Sequence, residues 1–478
     1  MNKRAKKTKV IATLGPASST KEIMLELVKA GADVFRINFS HADYELVKRN
    51  VDIIREINQE YGYNISILGD LQGPKLRVGV VKEGSFLNPG DVLTFTNEPC
   101  EGDSTKVFMT YEKFPQDVKV GERILIDDGK LVFEVIETNQ KDTVKAKTIQ
   151  GGPLSSKKGV NLPNTNVSLP ALTEKDIDDA KFMIENEFDW IALSFVRHAQ
   201  DIIDLKKLIQ AHSDFKIPII AKIEKPEGVK NIDEILLECD GLMVARGDLG
   251  VEVPMEEVPV IQKKLVDKAR YYSKPVIIAT QMMETMISSL TPTRAEVNDV
   301  ANNVLDGADA VMLSGETSVG KYPVDVVKNI TKIIKNIEST NLYEKKNDII
   351  EKITCVDDRF VTDMVCLNAV KIAETTGAAA IITLTHSGYT AFQISAHRPT
   401  SRIIVYSSNR RVLTMLNLLW GVRAFYYDMN KSTDETVIQV NMLTHHYGYV
   451  EKGDFVVNLN AMPVYEGGKT NTLRLTNI

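Results

Sequence analysis

The segment Gly241-Leu-Met-Val-Ala-Arg-Gly-Asp248 is a short apolar run that ends in charged and small residues. A segment of the same design, Ile217-Pro-Ile-Ile-Ala-Lys-Ile-Glu224, precedes it, and a stretch of helical length separates the two. Near-continuous apolar strands that alternate with helices are typical of a parallel sheet covered on both faces. The two segments therefore predict consecutive parallel strands whose carboxyl ends carry charge.

The same alternation of strand and helix occurs eight times along the chain. The predicted strands are 10–13, 34–39, 65–71, 190–195, 217–224, 241–245, 275–280 and 310–313. Eight parallel βα units predict an α/β fold of the closed (β/α)8 TIM-barrel type. Between the third and fourth strands the alternation stops, and short strands separated by turn residues predict an inserted all-β domain.

The chain of 478 residues is long enough for three domains. We predict a TIM barrel in two parts, 1–71 and 169–340, with the all-β domain at 72–168 between them. A new strand and helix pattern after the barrel predicts a C-terminal α/β domain at 341–478.

Composition excludes several classes of protein. The net charge of −6 does not suit a general nucleic-acid binder, and no apolar stretch reaches the roughly 18 residues of a membrane span. The four cysteines, Cys100, Cys239, Cys355 and Cys366, show no CxxC spacing. They predict reduced thiols and a cytoplasmic protein.

Polar residues occur at the ends of strands two to eight. They are Arg36, Asn38 and Ser40; Asp70; Ser194; Lys222 and Glu224; Arg246, Gly247 and Asp248; Thr280; Ser314 and Glu316. One polar residue at a strand end is usually a cap or a turn residue. Seven strands in succession predict a site at the carboxyl face, where TIM barrels hold their chemistry.

The residue types indicate phosphoryl and metal chemistry. Glu224 and Asp248, on adjacent strands, suit Mg²⁺, which takes one or two carboxylates and keeps positions for substrate oxygens. Arg36 and Lys222 are cations that suit a phosphoryl group. The alternative is a simple ion pair between Lys222 and Glu224. Asp248 on the adjacent strand argues against it, because one cation would then face two carboxylates. The Gly247 N–H and the Thr280 hydroxyl suit a substrate carboxylate.

Six motifs carry a family resemblance. They are Lys9-Val-Ile-Ala-Thr-Leu-Gly-Pro16, Phe35-Arg-Ile-Asn-Phe-Ser-His41, Ala221-Lys-Ile-Glu-Lys225, Met243-Val-Ala-Arg-Gly-Asp-Leu-Gly250, Ala279-Thr-Gln-Met282 and Met312-Leu-Ser-Gly-Glu-Thr317. In this order they resemble the pyruvate kinase family, and the resemblance covers the whole chain. It implies transfer of the phosphoryl group of phosphoenolpyruvate to ADP, giving pyruvate and ATP in the last step of glycolysis.

The resemblance also implies roles for individual residues. The implied catalytic residues are Lys222, Arg36 and Thr280, and the implied ligands of Mg²⁺ or Mn²⁺ are Glu224 and Asp248. The implied substrate contacts are Arg36, Ser194, Lys222, Gly247, Asp248 and Thr280. The implied nucleotide contacts are Asn38, Phe39, Ser40, His41, Arg77 and Lys158. The inserted domain resembles a lid that closes over the nucleotide and excludes water. A cytoplasmic homotetramer is the implied assembly. The proton donor to the enolate stays open among Thr280, Ser314 and Glu316.

Two departures from the family pattern affect ligands. Asn38, Ser40, Asp70 and Leu71 occupy the family's K⁺ positions, but Leu71 replaces the common Thr, and Lys75 stands where the common form has Glu. We predict that the Lys75 ammonium makes K⁺ unnecessary; in the alternative it points to solvent and K⁺ binds.

The second departure concerns an effector loop in the C-terminal domain. Thr385, Ser387, Gly388 and Thr390 match the family's site for sugar phosphates, but Tyr389 stands where many members have Arg. The loop is either an effector site, because backbone N–H groups at a helix start can bind phosphate, or only a capped turn.

Two rival functions remain at the level of sequence. One is a metal-dependent TIM-barrel aldolase or another pyruvate-enolate enzyme, which would not need the inserted domain with Arg77 and Lys158. The other is a non-catalytic protein that retains the fold, and the presence of Lys222, Glu224 and Asp248 argues against it.

Overall fold

A computed structural model describes residues 6–340, 358–428, 433–462 and 468–478. Eight parallel strands form a closed barrel in chain order, which confirms the predicted fold class. The barrel strands are Lys9–Thr13, Val34–Asn38, Ser66–Asp70, Trp190–Leu193, Ile219–Ile223, Gly241–Ala245, Val276–Ala279 and Ala310–Leu313. The first strand closes the barrel by pairing with the last, with Ile11 opposite Met312.

Helices surround the barrel, and the strands between them are almost completely buried. The α-helices of this part are Lys21–Ala30, Tyr44–Tyr61, Glu174–Glu185, Ala199–His212, Pro226–Lys230, Ile232–Glu238, Arg246–Glu252, Val258–Tyr271, Arg294–Asp306, Gly315–Ser318 and Pro323–Glu338. Short 3-10 helices occur at Phe39–His41, Met255–Glu257 and Glu284–Ile287. No helix in the described ranges is long and apolar enough to cross a membrane.

The inserted β domain lies between the third and fourth barrel strands and has a hydrophobic core of its own. Its strands are Phe86–Leu87, Val92–Thr96, Lys106–Phe108, Arg123–Ile126, Leu131–Thr138, Thr143–Gln150, Gly152–Pro153 and Val160–Asn161. The prediction of an all-β domain needs one correction, because Phe114–Asp117 forms a single helical turn. Pro115 favours the start of a helix, and Phe114 anchors the turn in the core.

The C-terminal domain is a five-stranded sheet with helices on its faces. Its strands are Ala380–Leu384, Arg402–Ser407, Val422–Tyr426, Phe455–Asn460 and Thr472–Asn477, and its helices are Phe360–Thr376, Tyr389–Ala396, Arg410–Leu416 and Thr433–His446. Four strands are parallel, and the last pairs antiparallel to its neighbour as an edge strand.

The C-terminal domain packs against the amino ends of the barrel strands. Arg398 donates to both oxygens of Asp309, at 2.9 and 2.8 Å, just before the eighth strand. The Trp190 indole N–H, at the start of the fourth strand, donates to the Met415 carbonyl at 2.9 Å. This arrangement leaves the carboxyl ends of the barrel strands to the inserted β domain.

Candidate active site

Two buried cations share one carboxylate at the carboxyl face of the barrel. Arg36 Nε donates to Asp70 Oδ2 at 2.7 Å, and Lys222 Nζ lies 3.0 Å from Asp70 Oδ1. Arg36 Nη1 also donates to the hydroxyl of Thr13 at 3.1 Å. Burial alone would raise the pKa of Asp70, but Lys222 and Arg36 outweigh burial and lower it, so the carboxylate stays charged.

Lys222 contacts more than Asp70. Its ammonium lies 3.0 Å from Glu224 Oε1 and donates to Ser194 Oγ at 2.6 Å. Burial disfavours the charged amine, but Asp70 and Glu224 reverse this effect and raise the pKa of Lys222 above its usual value. The ion pair between Lys222 and Glu224 therefore exists, although it belongs to a network that also includes Asp70.

Glu224 and Asp248 have the surroundings of a divalent-cation site. Burial raises the pKa of Glu224, Lys222 opposes this shift, and repulsion from Asp248 adds to it. The Asp248 carboxylate is exposed, and it makes no hydrogen bond or ion pair with any residue that the structure describes. Two nearby carboxylates, one of them unpaired, fit a hard cation that completes its shell with water or substrate oxygens. The described residues contain no group of three or more His, Cys, Asp or Glu arranged for a metal.

Gly247 and Thr280 lie in contact where the sixth and seventh strands end. The Gly247 N–H donates to Thr280 Oγ1 at 2.7 Å, and a Cβ at Gly247 would lie only 3.3 Å from that oxygen. Arg246 holds the same corner, because it donates to both oxygens of Asp299 at 2.8 Å and to the Thr280 carbonyl at 2.8 Å. Arg246 is therefore engaged by protein groups.

Unusual backbone conformations mark this face of the barrel. Thr280, Gln281 and Phe195 have φ angles of 69°, 52° and 54°, in the left-handed region that non-glycine residues rarely adopt. The Phe195 N–H donates to Glu224 Oε2 at 2.8 Å, so its conformation orients a proposed metal ligand. Such conformations cluster at functional sites, where neighbouring structure holds them in place.

The positions predicted for K⁺ lie on neighbouring strands. Asn38 and Asp70 are opposite each other in the register, and Asn38 Oδ1 accepts the Ser40 N–H at 3.1 Å. The Leu71 carbonyl accepts the Ser194 hydroxyl at 2.7 Å. The Lys75 side chain is exposed and forms no ion pair with the described carboxylates. K⁺ independence stays a prediction.

The two cations predicted for the nucleotide lie side by side on the inserted β domain. Arg77 pairs with Gly159 in a β-bridge, and its guanidinium donates to the Lys157 carbonyl at 2.8 Å. Lys158 Nζ lies 2.9 Å from Asp127 Oδ1. Phe39 is buried, and the side chain of His41 lies outside the described residues.

A cavity of about 880 Å³ connects the inserted β domain with the barrel. Asp128 lines it from the inserted domain, and Gly247, Asp248 and Thr280 line it from the barrel. The turn that carries Asp128 is the turn whose Asp127 pairs with Lys158. The cavity therefore brings one predicted metal ligand, Asp248, and the predicted substrate-carboxylate residues Gly247 and Thr280 together with the inserted domain, whereas Arg77 and Lys158 are not among its lining residues.

Several hydroxyl groups of the predicted effector loop are hydrogen-bonded within the protein. Thr385 Oγ1 accepts the Gly388 N–H at 2.9 Å, and Thr390 Oγ1 is 2.8 Å from Thr470 Oγ1. Tyr389 donates its hydroxyl to Asp363 at 2.8 Å, under the guanidinium of Arg359. Ser387 is exposed, and Gly388 begins the following helix with a φ of 88°.

Glu316 differs from the other candidates for proton transfer in its contacts. Its carboxylate is buried and accepts the Met283 N–H at 3.0 Å and the Ser314 N–H at 2.7 Å, which is a structural role. Thr13 and Phe195 are functional neighbours that sequence reasoning missed. Thr13 could have been found, because it is the polar end of the first strand.

Paired cations beside two carboxylates, at the carboxyl face of a barrel and under a separate domain, define a metal-assisted phosphoryl-transfer enzyme. Comparison with known proteins agrees. Residues 5–327 match the family model "Pyruvate kinase, barrel domain", and residues 363–476 match "Pyruvate kinase, alpha/beta domain".

Curated relatives cover nearly the whole chain. A pyruvate kinase of Geobacillus stearothermophilus is 42% identical over 98% of this chain and 80% of the relative. A pyruvate kinase of Mycobacterium intracellulare is 40% identical over 99% of both chains. The crystal structure of a pyruvate kinase from Cryptosporidium parvum superposes with a TM-score of 0.92, at 33% identity, and covers 99% of this chain and 97% of its own.

The chain belongs to the pyruvate kinase family. It is a phosphotransferase with the activity of that family, transfer of the phosphoryl group of phosphoenolpyruvate to ADP to give pyruvate and ATP. Members of this family use a divalent metal and K⁺. The family and its activity exclude both alternatives, a metal-dependent aldolase and a non-catalytic protein that retains the fold.

Proposed function

We propose that Lys222 and Arg36 are the catalytic cations of this reaction. Phosphoryl transfer depends mainly on positioning and on the neutralisation of negative charge. The Lys222 ammonium is buried and held by Asp70, Glu224 and Ser194, so it is fixed before substrate arrives. We propose that Lys222 stabilises the transferring phosphoryl group and the enolate oxygen, and that Arg36 binds the phosphate.

We propose Glu224 and Asp248 as the protein ligands of Mg²⁺ or Mn²⁺. The raised pKa of the buried Glu224 and the unpaired Asp248 support this assignment. When bound, the cation supplies positive charge opposite the phosphoryl oxygens. The Gly247 N–H, the Thr280 hydroxyl and the backbone N–H of Asp248, in the first turn of its helix, would orient the substrate carboxylate. Ser194 orients the ammonium of Lys222.

The enolate must take up a proton on carbon after phosphoryl transfer. Of the three predicted relay residues, Glu316 already accepts two backbone N–H groups. Thr280 is half-buried and lines the cavity, so water can reach it. Its hydroxyl accepts the Gly247 N–H at 2.7 Å and donates to the Ala279 carbonyl at 2.6 Å, so the relay requires the second bond to be exchanged for one to water. We propose Thr280, acting through water, as the relay.

The inserted β domain would act as the lid over the nucleotide. Arg77 and Lys158 would contact ADP from the lid, and residues 38–41 would contact it from the barrel. Support for the placement of Lys158 comes from the turn of Asp127 and Asp128, because Asp127 pairs with Lys158 and Asp128 lines the cavity that Asp248 also lines. We also propose that the domain boundaries lie near residues 71, 168 and 340. Limited proteolysis with and without ADP tests them, since cleavage at these boundaries leaves the cores intact.

The deciding experiment is a coupled assay of pyruvate formation with Lys222→Met. We expect kcat to fall by at least about 10³-fold, because a donor preorganised at the reacting group is lost. Lys216→Met is the matched control, because Lys216 is exposed just before the amino end of the same strand and pairs, among the described residues, with Asp240. Turnover of Lys222→Met within tenfold of wild type would refute the role of Lys222.

A sugar-phosphate effector at residues 385–390 is proposed for the C-terminal domain. The exposed Ser387 and the left-handed Gly388 at a helix start support it, whereas Tyr389 supplies no charge. Titration of phosphorylated sugars against the phosphoenolpyruvate dependence of the rate tests the proposal. A rate curve that none of them shifts removes the effector and leaves a capped turn.

We also propose that the enzyme is a cytoplasmic homotetramer. Met255 and Leu290 are 75% and 54% exposed on the barrel, and three of the six residues of the edge strand Thr472–Asn477 are exposed on the C-terminal domain, which gives two surfaces for subunit contacts. Cys100, Cys239 and Cys366 are free, as in a reducing compartment, and Cys355 lies outside the described residues. Sedimentation equilibrium tests the assembly, and cell fractionation tests the compartment.

A further inference from the structure

A buried ion pair joins the two segments that carry the proposed metal ligands, the end of the fifth barrel strand and the helix Arg246–Glu252. Lys225 directly follows Glu224, and Glu252 is four residues after Asp248, at the end of the helix Arg246–Glu252. Lys225 Nζ lies 2.6 Å from Glu252 Oε1, and the two side chains are 11% and 1% exposed. The ion pair therefore helps to fix the separation between Glu224 and Asp248.

The inserted β domain reaches the same carboxylate oxygen. Asn161 Nδ2 donates to Glu252 Oε1 at 2.8 Å. Asn161 pairs with Leu125, on the strand that leads into the turn of Asp127 and Asp128. One oxygen of Glu252 thus binds a cation of the barrel and an amide of the inserted domain, and the strand of this amide pairs with the strand that leads into the cavity-lining turn.

Glu252 is sensitive to the loss of either partner. A buried carboxylate is costly unless it is paired and hydrogen-bonded. The other oxygen, Oε2, is buried and accepts no hydrogen bond from the described residues, so the hydrogen bonds that these residues give to the carboxylate both go to Oε1. A movement of the inserted domain that removes Asn161 therefore weakens the environment of Glu252 and loosens the helix that carries Asp248.

We propose that Glu252 is a positioning residue that couples the inserted β domain to the metal-binding carboxylates, through Asn161 on one side and Lys225 on the other. It touches neither substrate nor metal in this scheme. The inference rests on the proposed assignment of Glu224 and Asp248 as metal ligands. It adds that the position of the inserted domain sets the affinity of that site.

The test uses full-length Asn161→Ala and Glu252→Gln, with Asn166→Ala as the control. Asn166 is exposed in the same segment and makes no hydrogen bond to the described residues. Mn²⁺ affinity is measured by electron paramagnetic resonance without substrates, and amide exchange is followed over residues 158–163. We expect Mn²⁺ binding to weaken about fivefold or more in Asn161→Ala, in the usual range of coupling between sites. Exchange should become faster there, and Asn166→Ala should match wild type.

Steady-state kinetics provide an independent measurement. Asn161→Ala should raise the KM for ADP by about tenfold, the worth of a hydrogen bond to a charged group. It should also raise the KM for phosphoenolpyruvate, because Gly247 and Asp248 lie on the helix that ends at Glu252. Wild-type Mn²⁺ affinity in Asn161→Ala would overturn the coupling, whether or not Glu252→Gln folds.

Asp248→Asn separates this inference from the assignment beneath it. If Asp248→Asn weakens Mn²⁺ binding and Asn161→Ala does not, the coupling is wrong and the metal site stands. If Asp248→Asn leaves Mn²⁺ binding at the wild-type level, the metal assignment is wrong and the coupling falls with it.

Discussion

The ammonium nitrogen of Lys222 lies 3.0 Å from Oδ1 of Asp70, on the strand that precedes the inserted β domain. The second oxygen of the same carboxylate binds Arg36 at 2.7 Å. Asp70 therefore sets the distance between the two cations that we assign to the phosphoryl group. Its lowered pKa, which arises because Lys222 and Arg36 outweigh the effect of burial, keeps this bridge charged at neutral pH.

The first prediction concerns this bridge. In Asp70→Asn the amide cannot bind a cation through both of its polar atoms, so Lys222 or Arg36 is displaced. We expect kcat to fall by about 10²-fold, because a small misplacement of catalytic groups is costly. Coupled assays measure the change, and circular dichroism checks the fold. Asp52→Asn is the control, because Asp52 is exposed and only weakly paired with Lys48. A kcat equal to that of wild type would show that Asp70 does not position the cations.

The second prediction concerns Thr280, whose hydroxyl accepts the Gly247 N–H at 2.7 Å. Thr280→Val removes this acceptor and leaves the strained backbone with a φ of 69° in place. We expect the KM for phosphoenolpyruvate to rise by about tenfold, because the carboxylate-binding corner is no longer held. Thr280→Ser should restore most of the affinity. A large loss of kcat with an unchanged KM would contradict substrate orientation and favour proton transfer alone.

Sequence reasoning found the parts of the site that follow from strand periodicity. Lys222 and Glu224 are two residues apart, so they share a face, and the ends of parallel strands meet at one edge. It could not find contacts that depend on the approach of distant segments, such as Asn161 with Glu252 or Arg246 with Asp299. It also assigned Asp70 only to K⁺, because no periodicity shows which cation lies on the neighbouring strand.

The positive φ angles at Phe195 and Thr280 had no sequence signal either, since neither residue is a glycine. The barrel architecture could be predicted from the sequence because eight apolar strands repeat a single pattern. The helical turn Phe114–Asp117 was missed because four residues are too short to show helical periodicity.

The third prediction is that turnover does not need K⁺. Lys75 is five residues after Asp70, and its exposed side chain fits the proposal that its ammonium reaches the nucleotide under the inserted domain. In tetramethylammonium buffer with Mg²⁺ and without Na⁺ or K⁺, the wild type should keep most of its kcat. Lys75→Glu should lose about tenfold without K⁺ and recover when K⁺ is added, because a positive charge near the phosphates has been removed.

The control for this charge change is Lys119→Glu, at an exposed lysine elsewhere on the inserted domain. It should behave as the wild type does in both buffers. Collapse of wild-type turnover without K⁺ would show that Lys75 does not replace the ion, and that the Asn38, Ser40, Asp70 and Leu71 positions bind it as in the rest of the family.

The last prediction concerns stability and a buried lysine at the opposite end of the barrel. Lys9 Nζ donates to the Val422 carbonyl at 2.9 Å, across the contact with the C-terminal domain. Burial lowers the pKa of Lys9 from about 10.5 to about 7, although Asp33 opposes the shift, and Arg423 and Lys6 add to it. Between these two values the unfolded chain binds a proton that the folded chain does not. The free energy of unfolding therefore rises with pH in this window, and the cost of charging Lys9 is present in full below it.

Lys9→Met removes this titration and keeps most of the side-chain volume. Relative to the variant, the wild type should gain at most about 1.4 kcal/mol per pH unit between pH 7 and pH 10. Urea unfolding at several pH values across this window, followed by circular dichroism, measures the difference between the two proteins. Lys29→Met, at an exposed helical lysine, should show the same pH dependence as wild type. Parallel pH curves for wild type and Lys9→Met would mean that Lys9 stays charged in the folded enzyme.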